Sequence, residues 1–328
     1  MREFGYERPT QPADALAVLA GTPGARYLGG GTNLVDLMKL GVETPGLLVD
    51  VTALPYGAIE DGPNGGLRVG AGVRNSDLAA NLTARRRYPV LAQAVLAGAS
   101  TQLRNMATVG GNLLQRTRCS YFQDVTKPCN KRVPGSGCPA REGEHHNLAI
   151  LGASQHCIAT HPSDMAVALA ALDAVVHVEE PGGPRVVPLA QFYRPPGDEP
   201  QIETTLEPGA LITAVELPAL PFAASSRYRK ARERASYAFA IGSVAAALDV
   251  ADGVVRDVRL ALGAVAPVPW RAHRAEQALR GRPATEHAFR EAANVELAGA
   301  QPLRDNRYKV PLVRNLIVRT LSDLVDAS

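Results

Sequence analysis

The sequence has no long apolar run, little net charge and few cysteines, and each shortage excludes a class of protein. No stretch approaches the ~18 apolar residues that a membrane-spanning helix needs. The net charge of +3 is too small to indicate a protein that binds nucleic acids or membrane surfaces. Four cysteines in 328 residues are too few for a disulfide-dense scaffold. The first residues, MREFGYERPTQPADAL, contain no apolar signal core, so we expect no export signal in this chain.

Aromatic residues are also scarce, at 5%, whereas the chain has 30 glycines and 25 prolines. This composition favours a loop-rich α/β or α+β protein over a helical bundle. Strand and helix signals alternate through the first part. Strands joined by an ADG hairpin signal, and then helices, follow a composition change near Phe222. The length suits about two domains, and we predict a boundary between residues 1–221 and 222–328.

Two glycine-rich segments, GGGTN at 29–33 and ATVGGN at 107–112, form the first candidate site. Glycines let a backbone approach a ligand closely, and the start of a helix offers free N–H groups to a phosphate. The spacing is not the GxGxxG dinucleotide fingerprint. The two loops together suit both phosphates of one dinucleotide, and two unrelated tight turns are the alternative.

All four cysteines, Cys119, Cys129, Cys138 and Cys157, lie in one Pro/Gly-rich stretch, residues 116–157, separated by 9, 8 and 18 residues. Soft thiolates select iron–sulfur clusters or zinc, but zinc fingers usually contain CxxC pairs, which are absent here. Two disulfides, a zinc site and free thiols remain alternatives. Several basic residues lie nearby. They are expected either to offset the negative charge of a thiolate-bound metal centre or to be solvent-exposed charges without a specific role: Arg116, Arg118, Lys127, Lys131 and Arg132. We expect His145 and His146 to be exposed.

Three segments in order, LGGGTNLVDLMK, QLRNMATVGGNL and ATHPSDMAVALAALDA, give the chain a family resemblance. The sequence resembles the FAD-binding, medium subunit of the molybdenum hydroxylases, the family of xanthine dehydrogenase and carbon monoxide dehydrogenase. The resemblance implies an α+β protein. Its FAD-binding domain is of the two-lobed vanillyl-alcohol-oxidase type, with lobes at about 1–55 and 56–221. A C-terminal domain of the CO-dehydrogenase-flavoprotein type follows.

The resemblance also implies which residues bind FAD. The first loop is expected at the pyrophosphate, the second at a phosphate and the ribose, and Asp164 at the adenosine or ribitol part. Lys230 is expected near the flavin pyrimidine ring, where a cation stabilises negative charge. The simpler interpretation of Asp164 is that it caps the N-terminus of a helix. The simpler interpretation of Lys230 is that it is a solvent-exposed residue of a strand. The expected cofactor-binding residues are Leu28, Gly29, Gly30, Gly31, Thr32, Asn33, Leu34, Thr108, Gly110, Gly111, Asn112, Asp164 and Lys230.

The cysteine-containing insertion is similar to one in the FAD subunit of periplasmic aldehyde oxidoreductases, through RCSYFxDV, PCNKRVPGSGC and CIATHPSD. This resemblance implies one [4Fe–4S] cluster bound by Cys119, Cys129, Cys138 and Cys157.

The implied function is electron transfer within an oxidoreductase. A large partner with molybdenum cofactor would oxidise an aldehyde or N-heterocycle, and a small [2Fe–2S] partner would pass electrons to FAD and an external acceptor. We expect a heterotrimer or its dimer, no catalytic base or nucleophile in this chain, and no nucleic-acid or membrane role. By resemblance the complex is periplasmic through co-export with a partner, with the cytoplasm as the alternative. A stand-alone FAD oxidase and a zinc- or disulfide-stapled interaction subunit are the competing interpretations.

Overall fold

The computed structural model describes residues 1–327, which contain three β-sheets with helices packed against them. The strands are β1 (Gly5–Glu7), β2 (Arg26–Leu28), β3 (Leu47–Asp50), β4 (Ile59–Asp61), β5 (Leu67–Gly70), β6 (Val175–Glu180), β7 (Gly183–Pro188), β8 (Leu211–Leu217), β9 (Ser226–Ala231), β10 (Gly242–Ala251), β11 (Val254–Gly263) and β12 (Trp270–Arg271). The helices are α1 (Pro12–Gly21), α2 (Leu34–Lys39), α3 (Asn75–Ala80), α4 (Leu82–Arg87), α5 (Pro89–Ala97), α6 (Thr101–Met106), α7 (Val109–Leu113), α8 (Ser120–Gln123), α9 (Asp164–Ala171), α10 (Leu189–Phe192), α11 (His273–Leu279), α12 (Glu286–Leu297) and α13 (Lys309–Val325).

The first lobe is a small parallel sheet of strand order β1-β3-β2. Parallel neighbours need a crossover connection, and α1 and α2 lie in the two connections. Pro12 begins α1, where its missing N–H leaves no intrahelical bond unmade. Ala15 of α1 packs with Val49 of β3 in the core of this lobe. The first glycine loop therefore follows the carboxyl end of β2.

The second lobe is an antiparallel sheet of order β4-β5-β8-β6-β7. Strand β6 alternates as the period of a strand requires, with Val176 and Val178 buried and His177 and Glu179 partly exposed. The core of this lobe also includes α5 and α9. Almost every side chain of α9 is buried, which explains its sequence of alanines and aliphatic residues.

The C-terminal domain is an antiparallel sheet of order β12-β11-β10-β9 with α11, α12 and α13. The two faces of β10 enter different cores. Ala245 packs in the core of the second lobe, whereas Val244 and Ala246 pack with the C-terminal helices. Burial on both faces accounts for the continuous apolar run in β10. The mixture of helices with antiparallel sheets confirms the α+β class.

The insertion (residues 116–157) connects α7 to α9 and joins both domains. Phe122 and Ile158 pack with Leu37 of α2 in a small core that also contains the cysteines. Ile150 and Leu151 instead enter the core of the C-terminal domain. Across residues 1–327, no helix has the length and hydropathy of a membrane span.

Candidate functional site

The two glycine loops lie in direct backbone contact. A Cβ on Gly30 would stand 1.8 Å from the carbonyl oxygen of Met106, and one on Gly29 would stand 2.7 Å from Thr108 Oγ1. No side chain fits in either space. Glycine is therefore required here because the second loop closes against the first.

The second loop is shaped by α7 and tied to α9. Thr108 caps α7, with its Oγ1 accepting from the N–H of Gly111 at 3.2 Å. Asn112 Oδ1 accepts from Ser163 Oγ at 2.5 Å and from Gln115 Nε2 at 2.9 Å. Ser163 also caps α9 by accepting from the N–H of Ala166. These bonds fix the loop in one conformation beside the first loop.

Two cavities meet at these loops. The larger cavity, of about 560 Å³, extends from the loops to the C-terminal domain and reaches Asp164, Lys230 and the segment Glu233–Ile241. The second cavity, of about 440 Å³, lies on the side of the first lobe. Thr32, Asn33 and Gly111 line both cavities. One elongated ligand can therefore lie in both cavities and follow the surface of the two contacting loops.

Buried polar atoms without a hydrogen-bond partner converge on the larger cavity. Within residues 1–327 they include Asn33 Nδ2, Asn75 Oδ1, Arg118 Nε and His161 Nε2. A buried polar group left unpaired costs about 1–3 kcal/mol, and native proteins almost always supply a partner. The residues that carry these atoms line the cavity, so a polar ligand there lies next to them. The residues present fit a cofactor with many hydrogen-bonding groups.

Asp164 and Lys230 form a buried ion pair in the larger cavity. Lys230 Nζ lies 2.8 Å from Asp164 Oδ2 and donates to the carbonyl of Ala97 at 3.0 Å. Tyr228 donates its hydroxyl to the other carboxylate oxygen of Asp164. Burial, followed by the Asp164 charge, raises the pKa of Tyr228 well above its ordinary value. Asp164 is not the helix cap, because Ser163 fills that role, and Lys230 is buried and not a solvated strand residue.

The structure brings nearly all the predicted cofactor residues to the cavity walls. The residues that line one or both cavities are Gly29, Gly30, Gly31, Thr32, Asn33, Leu34, Thr108, Gly110, Gly111, Asn112, Asp164 and Lys230. Leu28 is not among them: it ends β2, and its side chain lies toward Gly31.

The four cysteines line one small pocket, together with Lys131 and Phe122. All four are unbonded thiols in the structure. Cys119 lines both this thiol pocket and the larger cavity. In residues 1–327, no group of three or more His, Cys, Asp or Glu side chains is placed so that it could hold a metal ion. The four thiols line one pocket, directly beside the larger cavity.

The environment of the thiols is apolar but contains backbone donors. Burial raises the pKa of Cys119 to about 11 and raises the pKa of Cys138 and of Cys157. Several backbone N–H groups lower these pKa values in part, those of Phe122 and Tyr121 at Cys119 and that of Ala159 at Cys157. Such N–H groups are the hydrogen bonds that stabilise metal-bound thiolates. The thiols of Cys119, Cys138 and Cys157 are therefore protonated at neutral pH and would release protons on binding a metal.

The basic residues of the insertion have different roles. Lys131 Nζ lies 2.8 Å from Glu203 Oε1, and Arg116 Nε lies 2.6 Å from Glu203 Oε2. The backbone N–H of Arg116 donates to Asn33 Oδ1 at 2.8 Å. Arg116 therefore links this ion network to the first glycine loop. Arg132 donates to backbone carbonyls within the insertion. Lys127 is exposed.

Arg118 and Lys131 lie on opposite sides of the boundary between the two sites. Only Lys131 lines the thiol pocket, whereas Arg118 lines the larger cavity. Of these two residues, only Lys131 is placed to offset negative charge on the thiols, and that role stays a prediction.

The histidines of this region correct one prediction. His145 is buried, with Nδ1 3.1 Å from the carbonyl of Ala140 and Nε2 accepting from the N–H of Asp305 at 3.0 Å. It joins the insertion to the C-terminal domain and is not an exposed loop residue. His146 is about half exposed and stacks on Tyr308.

Sequence reasoning did not identify Tyr228, Asn75 or His161 as site residues. Tyr228 had a usable signal, since it lies two positions before Lys230 on the same face of a strand. His161 also had a signal, since it lies three positions before Asp164 in the segment ATHPSD, whereas Asn75 lies far from the predicted site residues in sequence. Burial lowers the pKa of His161 to about 4, so this ring is neutral at the cavity wall.

Known proteins with similar sequences and structures indicate the family of this chain. Residues 2–220 match the family described as the FAD binding domain in molybdopterin dehydrogenase, and residues 226–324 match the CO dehydrogenase flavoprotein C-terminal domain. The aldehyde oxidoreductase FAD-binding subunit PaoB of Escherichia coli K12 is 51% identical over 324 residues, 98% of each chain. The glyceraldehyde dehydrogenase medium chain of Sulfolobus acidocaldarius is 25% identical over 98% of each chain. Among solved structures, carbon monoxide dehydrogenase from Hydrogenophaga pseudoflava superimposes with a TM-score of 0.77 at 25% identity, covering 98% of this chain and 96% of that chain.

Proposed function

The chain belongs to the FAD-binding medium subunits of the molybdenum hydroxylases, and on this basis we propose that it is the electron-transfer subunit of an aldehyde oxidoreductase. In this proposal a molybdenum-containing partner oxidises the aldehyde, and electrons pass from [2Fe–2S] clusters of a small partner through FAD to an external acceptor. The similarity to an aldehyde oxidoreductase subunit supports the aldehyde as substrate class. The family and the oxidoreductase assignment predicted from the sequence are confirmed.

The observation that carries the proposal is the set of unpartnered buried atoms on the wall of the larger cavity, which adjoins two touching glycine loops. When bound, FAD supplies a group that accepts electron pairs and exchanges single electrons. The loops would hold its phosphates through their backbone N–H groups. Asn33, His161 and the Lys230–Asp164 pair would hydrogen-bond the remainder, and residues of Glu233–Ile241 would cover it from the C-terminal domain.

We also propose that the four thiols bind one [4Fe–4S] cluster. The support is their assembly in one pocket, the backbone N–H groups directed at the sulfurs, and the positive charge of Lys131 beside Cys157. A cluster of this type binds one thiolate at each of its iron corners, so the sulfurs surround a group of atoms and need not meet at one ion. When bound, it supplies a one-electron centre.

The test is cofactor analysis of the chain purified anaerobically with its partner subunits. We expect one FAD per copy of this chain, and about four irons beyond those of the partner's [2Fe–2S] clusters. Cys129→Ser should lose these additional irons while keeping FAD. Val133→Ser, at an exposed position of the same insertion, is the control and should keep both. Absence of FAD from the wild-type chain would overturn the flavoprotein assignment. FAD with no iron beyond that of the partner would overturn the cluster alone.

We propose the periplasm as the compartment, reached with a signal-bearing partner, as in the periplasmic aldehyde oxidoreductases that the sequence resembles. Cell fractionation with a tagged chain tests this. Recovery of the chain only with cytoplasmic markers, in cells that express all partner subunits, would contradict it.

A further inference from the structure

Arg118 is a cation on the wall of the larger cavity that forms no direct ion pair. Four Lys or Arg residues line this cavity. Lys230 is paired with Asp164, Arg104 donates to the carbonyl of Gly98 at 2.8 Å, and Arg234 donates to the carbonyl of Tyr237 at 2.9 Å. Within residues 1–327, Arg118 has no salt bridge and no side-chain hydrogen bond, and its Nε is buried and unpartnered. Its guanidinium therefore bonds no protein acceptor, and the Asp36 carboxylate on the same wall acts on its charge only from beyond bonding distance.

The position of Arg118 is fixed by packing. Its guanidinium lies 4.7 Å from the ring centroid of Phe239, in the segment that borders the cavity from the C-terminal domain. Stacking of this kind orients the plane of the guanidinium while leaving its N–H groups free. Burial lowers the pKa of Arg118, and the charge of Asp36 opposes this effect. An arginine nevertheless stays charged in proteins, so a fixed positive charge faces the cavity.

A partly buried guanidinium that bonds no protein acceptor has N–H groups available for an anionic ligand in the cavity. Resting on the proposed function, we propose that Arg118 is the counter-ion for the negative charge of the bound flavin dinucleotide. That charge has two sources, the phosphates and the negative charge that the flavin ring gains on reduction. Both present oxygen or nitrogen acceptors that an arginine fork can contact.

The same residue ties the dinucleotide to the insertion. Arg118 directly precedes Cys119, whose side chain borders both the thiol pocket and the larger cavity. A bound dinucleotide that holds Arg118 therefore also fixes the first cysteine.

The experiment compares the full chain, expressed with its partner subunits, as wild type, Arg118→Gln and Arg118→Lys. Two quantities are measured: the FAD dissociation constant from flavin fluorescence, and the midpoint potential of the bound flavin. If Arg118 faces the phosphates, Arg118→Gln should raise the dissociation constant about 10- to 100-fold, the size of one charge-assisted hydrogen bond. If it faces the ring, the potential should fall with little change in affinity. Arg118→Lys should recover part of either effect, because it keeps the charge without the fork.

Lys127→Gln is the matched control, since it removes one positive charge from an exposed position of the same insertion. It should leave both quantities unchanged. The inference fails if Arg118→Gln matches wild type in both, or if Lys127→Gln changes them equally. It also fails if FAD-free Arg118→Gln melts below FAD-free wild type and Arg118→Lys restores nothing, because the role is then structural. A wild-type chain that binds no FAD would defeat the proposed function itself, which the wild-type measurement reveals first.

Discussion

At the scale of single residues, the glycine loops show how a backbone contact defines a site. Gly30 faces the carbonyl of Met106, and Gly29 faces the hydroxyl of Thr108. Thr108 at the same time holds the N–H of Gly111. A change at any of these positions is transmitted to both loops, because neither loop has free space on the side of the other.

We predict that Gly30→Ala abolishes FAD binding. Its Cβ would lie 1.8 Å from the carbonyl oxygen of Met106, so one loop must move away from the other. The expected loss of FAD affinity is at least about 100-fold, a size reached when a ligand-binding geometry is displaced by about 1 Å. Flavin fluorescence titration of the purified variant measures it.

The control is Gly21→Ala, at the end of α1, where a Cβ meets no atom within 4 Å. It should bind FAD as wild type does. Normal FAD affinity of Gly30→Ala would show that the contact between the loops is not needed.

At the scale of elements, the insertion is held by more than its thiols. The Arg116–Glu203–Lys131 network ties it to the second lobe. Asn306 donates to the carbonyls of Leu148 and Ala149 from the C-terminal domain. In the sequence the insertion is recognisable only as a Pro/Gly-rich stretch that contains the cysteines and several basic residues. These polar contacts join residues far apart in the chain, so no local pattern could reveal them.

We predict that Glu203→Gln destabilises the fold by about 1–3 kcal/mol, because two largely buried cations lose their shared carboxylate. Burial acts to raise the pKa of Glu203, but the charges of Arg116 and Lys131 hold it below its ordinary value. A depressed carboxyl pKa contributes stability that is present above the unfolded pKa of about 4.3 and is lost as the pH falls through the folded value.

Thermal midpoints measured from about pH 7 down to about pH 3 test this prediction. Wild type should lose more stability over this range than Glu203→Gln, so the two curves should approach each other in acid. Glu199→Gln removes a carboxylate from an exposed pair with Arg194 and should change stability by less than about 0.5 kcal/mol. A constant gap between Glu203→Gln and wild type at every pH would contradict the assigned role.

Local sequence signals located many elements but not every helix start or end. The hairpin predicted at ADG is observed between β10 and β11. Asn75 and Ser76 are of residue types that favour helix caps, but Arg74 precedes α3 and no side chain caps it. The segment from Trp270 to Leu279 suits a helix in composition, yet Trp270 pairs with Leu262 in β12, and α11 starts at His273. Strand pairing, a tertiary contact, overrides the local preference here.

At the scale of the whole molecule, the larger cavity needs both domains. Its walls include α9 and the second glycine loop from the FAD-binding domain, and Lys230, Ser243 and Ala264 from the C-terminal domain. Lys309 supports this arrangement, because its buried ammonium donates to the carbonyls of Asn147, Leu148 and Ala264. The family resemblance indicated the cofactor and Lys230 of the C-terminal domain, but the contributions of Ser243 and Ala264 to the cavity wall appear only in the fold.

The roles that we propose for the subunits give a prediction for the complete complex. The cavity walls contain groups that bind and orient a dinucleotide, and we assign none of them to aldehyde chemistry. Aldehyde added to the FAD-loaded chain alone should therefore leave the flavin absorption spectrum unchanged under anaerobic conditions. Addition of the molybdenum-containing and [2Fe–2S] partner subunits should then bleach the flavin. Bleaching by aldehyde without partners would support a stand-alone flavin oxidase, and no bleaching in the full complex would exclude this chain's FAD from the electron path.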